Sequence, residues 1–226
     1  MKKYKFLVPL FLLLLGCGTN KIDQTTSTDN TILTDEQAMD QVQKDAIKYF
    51  WDYAEPNSKL GRERFLVDNP AFEANKVTTG GSGFGLLSLI VGVERGFIPR
   101  KEAVDRMTTA MDFLEKADRF HGAWAHWMDG NTGHAISFGK KDDGGDIVET
   151  AFLCQGLIAV REYFKNGNTQ EKALATKADN LWKGVEWSWY TNGENAMYWH
   201  WSPTYQWEMK FKLEGYNECL IAYILG

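Results

Sequence analysis

Basic residues do not outnumber acidic ones in this chain. Twenty-five Lys and Arg stand against 30 Asp and Glu, a formal net charge of −5. No basic block interrupts that balance, which excludes the usual electrostatic footprint of a nucleic-acid partner. Only three cysteines and four histidines occur among 226 residues. His121, His126 and His134 lack zinc-ligand spacing, and two thiols beyond Cys17 do not make a metal site. The apolar run Phe6 to Leu15 is too short to span a bilayer as a helix. Thr79-Gly80-Gly81-Ser82-Gly83 lacks the Lys-Ser/Thr ending of a phosphate loop and, on the sequence, any preceding strand. Nothing in the composition calls for a cofactor or a metal.

What remains is an apolar, aromatic-rich chain. Hydrophobic residues make up 44% of it, with nine Trp, nine Tyr and thirteen Phe. That is enough for one sizeable core.

Residues 1–17 read as a sorting signal. Met1-Lys2-Lys3-Tyr4-Lys5 is basic, the apolar run follows, and Leu14-Leu15-Gly16-Cys17 closes it. A small residue just before Cys resembles the lipobox of bacterial lipoproteins. The expectation is a lipid anchor on Cys17 and a place in the bacterial cell envelope, periplasmic or at the outer-membrane surface. Residues 18–33 are polar and read as a tether. The folded domain is expected over 34–226, opening with the capping-box pattern Thr34-x-x-Gln37. Cys154 and Cys219 fall in apolar helical stretches, as small buried hydrophobes or as a disulfide pair in an oxidising compartment.

Six helices are predicted, of two kinds. Helices over about 35–54, 99–118 and 169–186 are amphipathic. Their buried stripes are expected at Ala38, Val42, Ala46, Tyr49 and Tyr53, at Val104, Met107, Met111 and Leu114, and at Leu174, Ala178, Leu181 and Val185. Stretches Phe84 to Val93, Ile147 to Val160 and Cys219 to Leu225 are apolar nearly all round, the mark of a helix surrounded by others. The two kinds alternate, and the buried starts at Gly83, Glu149 and Glu218 recur 66 and 69 residues apart. This weak repeat suggests an α/α toroid, with an α-solenoid as runner-up. A closed toroid commonly needs about six such pairs. With about three helical hairpins present and Gly226 in mid-helix, a truncated toroid is the expectation.

In a toroid the inner helices run parallel, so their N-termini ring one mouth. Asp142, Asp143, Asp146 and Glu149 precede or open the second inner helix, and Glu214 and Glu218 the third. Aromatic stretches feed the same mouth. One is His121 to Trp127, with a hairpin expected at Asp129-Gly130. The other is the Trp-rich loop before the third inner helix. Trp124, His126, Trp127, Trp199, His200, Trp207 and Tyr216 are the expected sugar contacts, since flat rings stack on pyranose faces and polar edges take hydroxyls. Two carboxyls with opposed duties suit glycosidic hydrolysis. Simpler readings stand beside this one. Asp146-x-x-Glu149 is also a capping pattern, Asp142 and Asp143 suit a turn, and Glu218 in a first helical turn is favoured as an anion.

The sequence also resembles a family. Gly83-Phe84-Gly85-Leu86-Leu87 with Val93-Glu94-Arg95-Gly96-Phe97-Ile98 is similar to the glycoamylase-like proteins. So are Gly145-Asp146-Ile147-Val148-Glu149-Thr150-Ala151-Phe152-Leu153 and Gly215-Tyr216-Asn217-Glu218. That group includes the endo-β-1,2-glucanases and sophorose-releasing enzymes of glycoside hydrolase family 144, and the resemblance runs from about residue 40 onward. It implies an all-α (α/α)6 toroid and inverting hydrolysis of a β-1,2-linked glucan or its oligosaccharides. It also implies acidic site residues at Asp142, Asp146, Glu149 and Glu218. Glu218 is the expected general acid, Asp142 or Asp146 would position or activate water, and Glu149 would shape the subsite. A glycan-binding lipoprotein on the same scaffold is the alternative expectation.

Overall fold

The computed structural model describes residues 33–226; the expected sorting signal, Cys17 and nearly all of the expected tether lie outside the described residues. Thr34 caps the first helix as its sequence suggests. Its hydroxyl accepts from the Gln37 amide while the Gln37 side chain accepts from the Thr34 amide, so two otherwise orphaned donors are satisfied.

Six α-helices follow in chain order: α1 (Asp35–Trp51), α2 (Thr79–Glu94), α3 (Arg100–Leu114), α4 (Ile147–Phe164), α5 (Thr169–Lys183) and α6 (Leu220–Leu225). Short strands join them. β1 (Lys76–Thr78), β2 (Trp127–Asp129) and β3 (Ala135–Ile136) form an antiparallel sheet, and β4 (Gly145–Asp146) pairs with β5 (His200–Trp201). The hairpin expected at Asp129-Gly130 is the β2–β3 turn. Asp129 accepts from the amides of Asn131 and Thr132, and the chain reverses through Gly133 at φ +78°.

The alternation of wet and buried helices holds for α2 to α5, but α6, expected to be buried all round, buries Ala222 and exposes Leu220, Tyr223 and Ile224. α3 and α5 each bury one stripe: Val104, Met107, Met111 and Leu114 in one, Leu174, Ala178 and Leu181 in the other. Helix α1 differs from expectation. Ile47 is its buried residue, Ala38 and Tyr49 of the expected stripe are half-buried together with Gln43, Phe50 and Trp51, and Val42, Ala46 and Tyr53 are exposed. Cys154 and Cys219 are buried, unpaired thiols, and burial pushes the Cys154 thiol up to about 12.

α2 and α4 are the central pair, with α1 and α3 also against α2, and α5 and α6 against α4. A side-chain carbon at Gly83 would lie 2.2 Å from the Phe152 carbonyl oxygen, and one at Gly156 would lie 2.4 Å from the Gly83 oxygen. Only glycine permits backbones this close. The run Gly80 to Gly83 lies in the first turn of α2. A strand, β1, also precedes it, though the Lys-Ser/Thr ending of a phosphate loop is still missing. Gly80 meets Glu149 and Gly83 meets Phe152, so the N-terminal ends of α2 and α4 lie side by side and the two helices run parallel. No described helix is long and apolar enough to cross a membrane.

Candidate functional site

The parallel start of α2 and α4 gathers polar groups from distant parts of the chain. Two distant segments hold the start of α4. The Asp146 amide donates to the Trp124 carbonyl at 2.9 Å, and the Ile147 amide to the Trp199 carbonyl at 2.9 Å. Thr79, at the start of α2, donates its amide to the His126 carbonyl at 3.1 Å and its hydroxyl to the Ala125 carbonyl. Residues 124–126 are thus held between the starts of α2 and α4.

Asp146 is fully buried and saturated. One oxygen, Oδ1, accepts from the amides of Val148 at 3.0 Å and Glu149 at 2.9 Å. The other, Oδ2, faces His126 Nδ1 at 3.0 Å and accepts from Trp199 Nε1 at 3.2 Å. A carboxylate offers about four lone-pair sites, and all four are used. Of the two carboxylates expected to position or activate water, Asp146 is the one whose oxygens are all turned to protein partners.

Glu149 was the other half of the expected capping box. Its side chain does not return to the Asp146 amide but crosses to α2, where Oε2 accepts from the Gly80 amide at 2.8 Å. Burial raises its pKa, reinforced by the charges of Asp146 and Glu218 and opposed by His126 and the Gly80 amide. Asp142, in the turn where its amide donates to the Gly139 carbonyl, has no side-chain hydrogen bond among the described residues. Its pKa is also raised, first by burial and then by Asp146 and Asp143, against His200 and His126. Asp143 is a turn residue, holding the hydroxyls of Ser202 and Thr204.

Burial alone would lower the pKa of His126. The hydrogen bond and charge of Asp146, with Glu149 and Asp142 beyond, outweigh burial and raise it. The ring lies against Phe138 at 4.1 Å between centroids and edge-on to Trp127 at 5.5 Å. Lys76 sits over the Trp127 ring at 4.2 Å. Trp199 stacks on Phe211 at 5.3 Å. Together these form an aromatic wall beside the carboxylates. Among the described residues no group of three His, Cys, Asp or Glu is arranged to hold a metal ion.

No family model matches the chain. It is 48% identical over 206 residues to the exo β-1,2-glucooligosaccharide sophorohydrolase (non-reducing end) of Parabacteroides distasonis, covering 90% of this chain and 28% of that protein. Its fold matches the endo-β-1,2-glucanase from Chitinophaga pinensis, solved with sophorotriose and glucose, at a TM-score of 0.83 and 56% identity. That match covers 85% of this chain and 47% of that one. A β-1,2-glucanase from Parabacteroides distasonis matches at 0.80 and 48%, covering 85% and 27%. The chain is a homologue of the glucoamylase-like β-1,2-glucan hydrolases. It spans less than half the length of each of these relatives.

Against these homologues' chemistry the expected site residues divide. Asp142, Asp146, Glu149, His126, Trp127 and Trp199 come together, and Glu218 lies within electrostatic reach of Glu149. Trp124 does not line a cleft. It is 0% exposed, donates Nε1 to the Leu114 carbonyl at 3.1 Å, and is covered by the Arg119 guanidinium at 4.1 Å. Trp207 packs against Tyr190, Tyr198 and Trp189, stiffening the loop after α5. His200 is buried, with Nε2 against the Met209 sulfur and Nδ1 without a partner among the described residues. Glu218 is exposed and Tyr216 is 93% exposed, so the expected burial of Glu218 among Trp and Tyr is not found. Phe138, Phe211 and Thr79 were missed. Phe138 lies between two glycine-bearing turns, and nothing in its local pattern distinguishes it.

Proposed function

We propose that this chain carries the site of an inverting glycoside hydrolase acting on β-1,2-linked glucan or its oligosaccharides. The observation that carries the reading is the placing of Asp142 and Glu149, with Asp146 between them, at the start of α4 beside the His126–Phe138–Trp127 wall, with Glu218 close enough for its charge to act on Glu149. The names of the homologous hydrolases support the β-1,2 linkage. In this reading the helical pairs belong to an (α/α)6 toroid whose inner helices are α2, α4 and α6. Residues 1–17 are a lipoprotein signal that anchors the domain at the cell envelope through Cys17, with 18–33 as the tether.

Inversion needs a protonated carboxyl at the leaving oxygen and an ionised one that activates water on the opposite face. Glu149 and Asp142 sit where burial favours the protonated form, as proton donation requires. With Glu149 or Asp142 as the donor, Glu218 is left as the carboxyl that activates water, which exchanges the duties that the resemblance alone suggested for Glu218 and Asp142. The test is reducing-sugar release from linear β-1,2-glucan, with the first-formed anomer followed by proton NMR. Release of the α-anomer first, lost in Glu218→Gln, is the expected outcome. Initial release of the β-anomer would overturn inversion, and tight glycan binding without release would make the chain a binding protein.

A further inference from the structure

Asp146 is spent on hydrogen bonds, yet two of its four partners are not backbone amides. Capping α4 takes only Oδ1. Oδ2 is committed to His126 and Trp199, residues 20 and 53 positions away. A helix cap has no need of these contacts. They make sense if the thing being held is the imidazole.

We propose that Asp146 is a positioning residue that acts through His126, fixing the ring with Nδ1–H inward so that Nε2 meets a hydroxyl of the bound glucosyl chain. A carboxylate can only accept, so a neutral His126 facing it must carry its proton on Nδ1. That leaves the Nε2 lone pair as an acceptor. Nε2 has no protein partner among the described residues and is not a buried orphan, and the side chain is 21% exposed. Phe138 and Trp127 hold the ring on its other sides, offering apolar surface for pyranose C–H groups next to an acceptor for a hydroxyl. Trp199 Nε1–H keeps Oδ2 from rotating away. His126 is thus a specificity contact and Asp146 sets its polarity. The inference rests on the glucan reading for its ligand but not for its tautomer.

The tautomer can be read directly from long-range proton–nitrogen spectra of the 15N-labelled chain at alkaline pH, where the ring is neutral. The wild type is expected to carry the proton on Nδ1. In Asp146→Asn the amide oxygen can keep the helix cap, while the amide NH2 faces Nδ1 and drives the proton to Nε2. Should the NH2 opposing Trp199 Nε1–H unfold the chain, Asp146→Asn with Trp199→Phe removes that conflict and gives the same readout. An Nε2–H tautomer in the folded wild type, or no change in the variants, overturns the proposal. Calorimetric binding of a linear β-1,2-linked glucooligosaccharide then tests the ligand. His126→Phe and Asp146→Asn should each weaken binding on the order of tenfold, about one hydrogen bond. The double variant should be no weaker than His126→Phe alone, as for two residues acting as one. Additive losses would overturn the coupling. Absent binding by a wild type with the expected tautomer would remove the glucan reading and the proposed hydroxyl contact, leaving only the positioned imidazole.

Discussion

The seam between α2 and α4 and the rim above it are made by the same two helices on opposite terms. At the seam, Gly83 and Gly156 let backbone touch backbone. At the rim, one turn away, Glu149 reaches across to the Gly80 amide and Asp146 anchors His126 and Trp199. Contact at the seam is what makes the rim: Glu149 can bridge the helices because the glycines bring them within its length. The seam is stabilised by packing and by the absence of polar groups. The rim keeps buried carboxyls that burial itself disfavours as anions. Stability is concentrated in one region and chemistry in the other, as expected where a site departs from the rules that fold the rest.

The sharpest way to break this comparison is at the seam. Gly83→Val would place side-chain atoms inside the Phe152 backbone, and main chain cannot yield as a flexible side chain can. The expected loss is about 4 kcal/mol or more, the exceptional range for one substitution, visible as loss of cooperative melting by circular dichroism. A variant melting within a few degrees of wild type would mean that the helices are not locked together there.

Next in size is the contrast between two tryptophans three residues apart. Trp124→Ala should cost roughly 3–5 kcal/mol, since it empties a buried site and strips the cover from Arg119. Trp127→Ala should cost less than about 2 kcal/mol, the ring being half-buried, but should weaken binding to β-1,2-glucan. Equal effects on melting would place both rings in the core and remove Trp127 from the wall.

That pair also shows where the sequence was legible. The helices, their alternation, the Thr34 cap and the β2–β3 hairpin could be read because each depends on local periodicity or a local hydrogen bond. The clustering of Asp142, Asp146 and Glu149 was legible too, because they lie within eight residues at the start of one helix. What failed depends on partners distant in the chain. Trp124 and Trp127 carry the same chemistry, and only the arrival of Leu114 and Arg119 makes one of them core. The close approach at Gly83 was not legible, because its partner, Phe152 on another helix, lies about seventy residues downstream. Asp146 and Glu149 looked like one capping box, yet their side chains part to serve His126 and Gly80.

The smallest expected effect is the most informative about the rim. Glu149→Gln keeps an oxygen for the Gly80 amide and removes the charge that burial opposes. A carboxyl with a raised folded-state pKa holds its proton more tightly folded than unfolded. Its contribution to stability is therefore full below the ordinary 4.5 and lost as pH rises through the folded value. At neutral pH the variant should melt above the wild type, by on the order of 1 kcal/mol, the scale of one exchanged polar contact. The gap should close as pH falls below the ordinary value, because the wild-type side chain is then neutral as well. Asp142 and His126, also raised, tilt the wild type in the same direction, so the difference between the two melting curves isolates Glu149. A variant less stable at neutral pH would mean that the ionised carboxylate is welcome at the helix starts. Proton donation would then have to pass to Asp142. A variant that is more stable but hydrolytically dead would show the rim giving up stability for chemistry, in contrast to the seam beneath it.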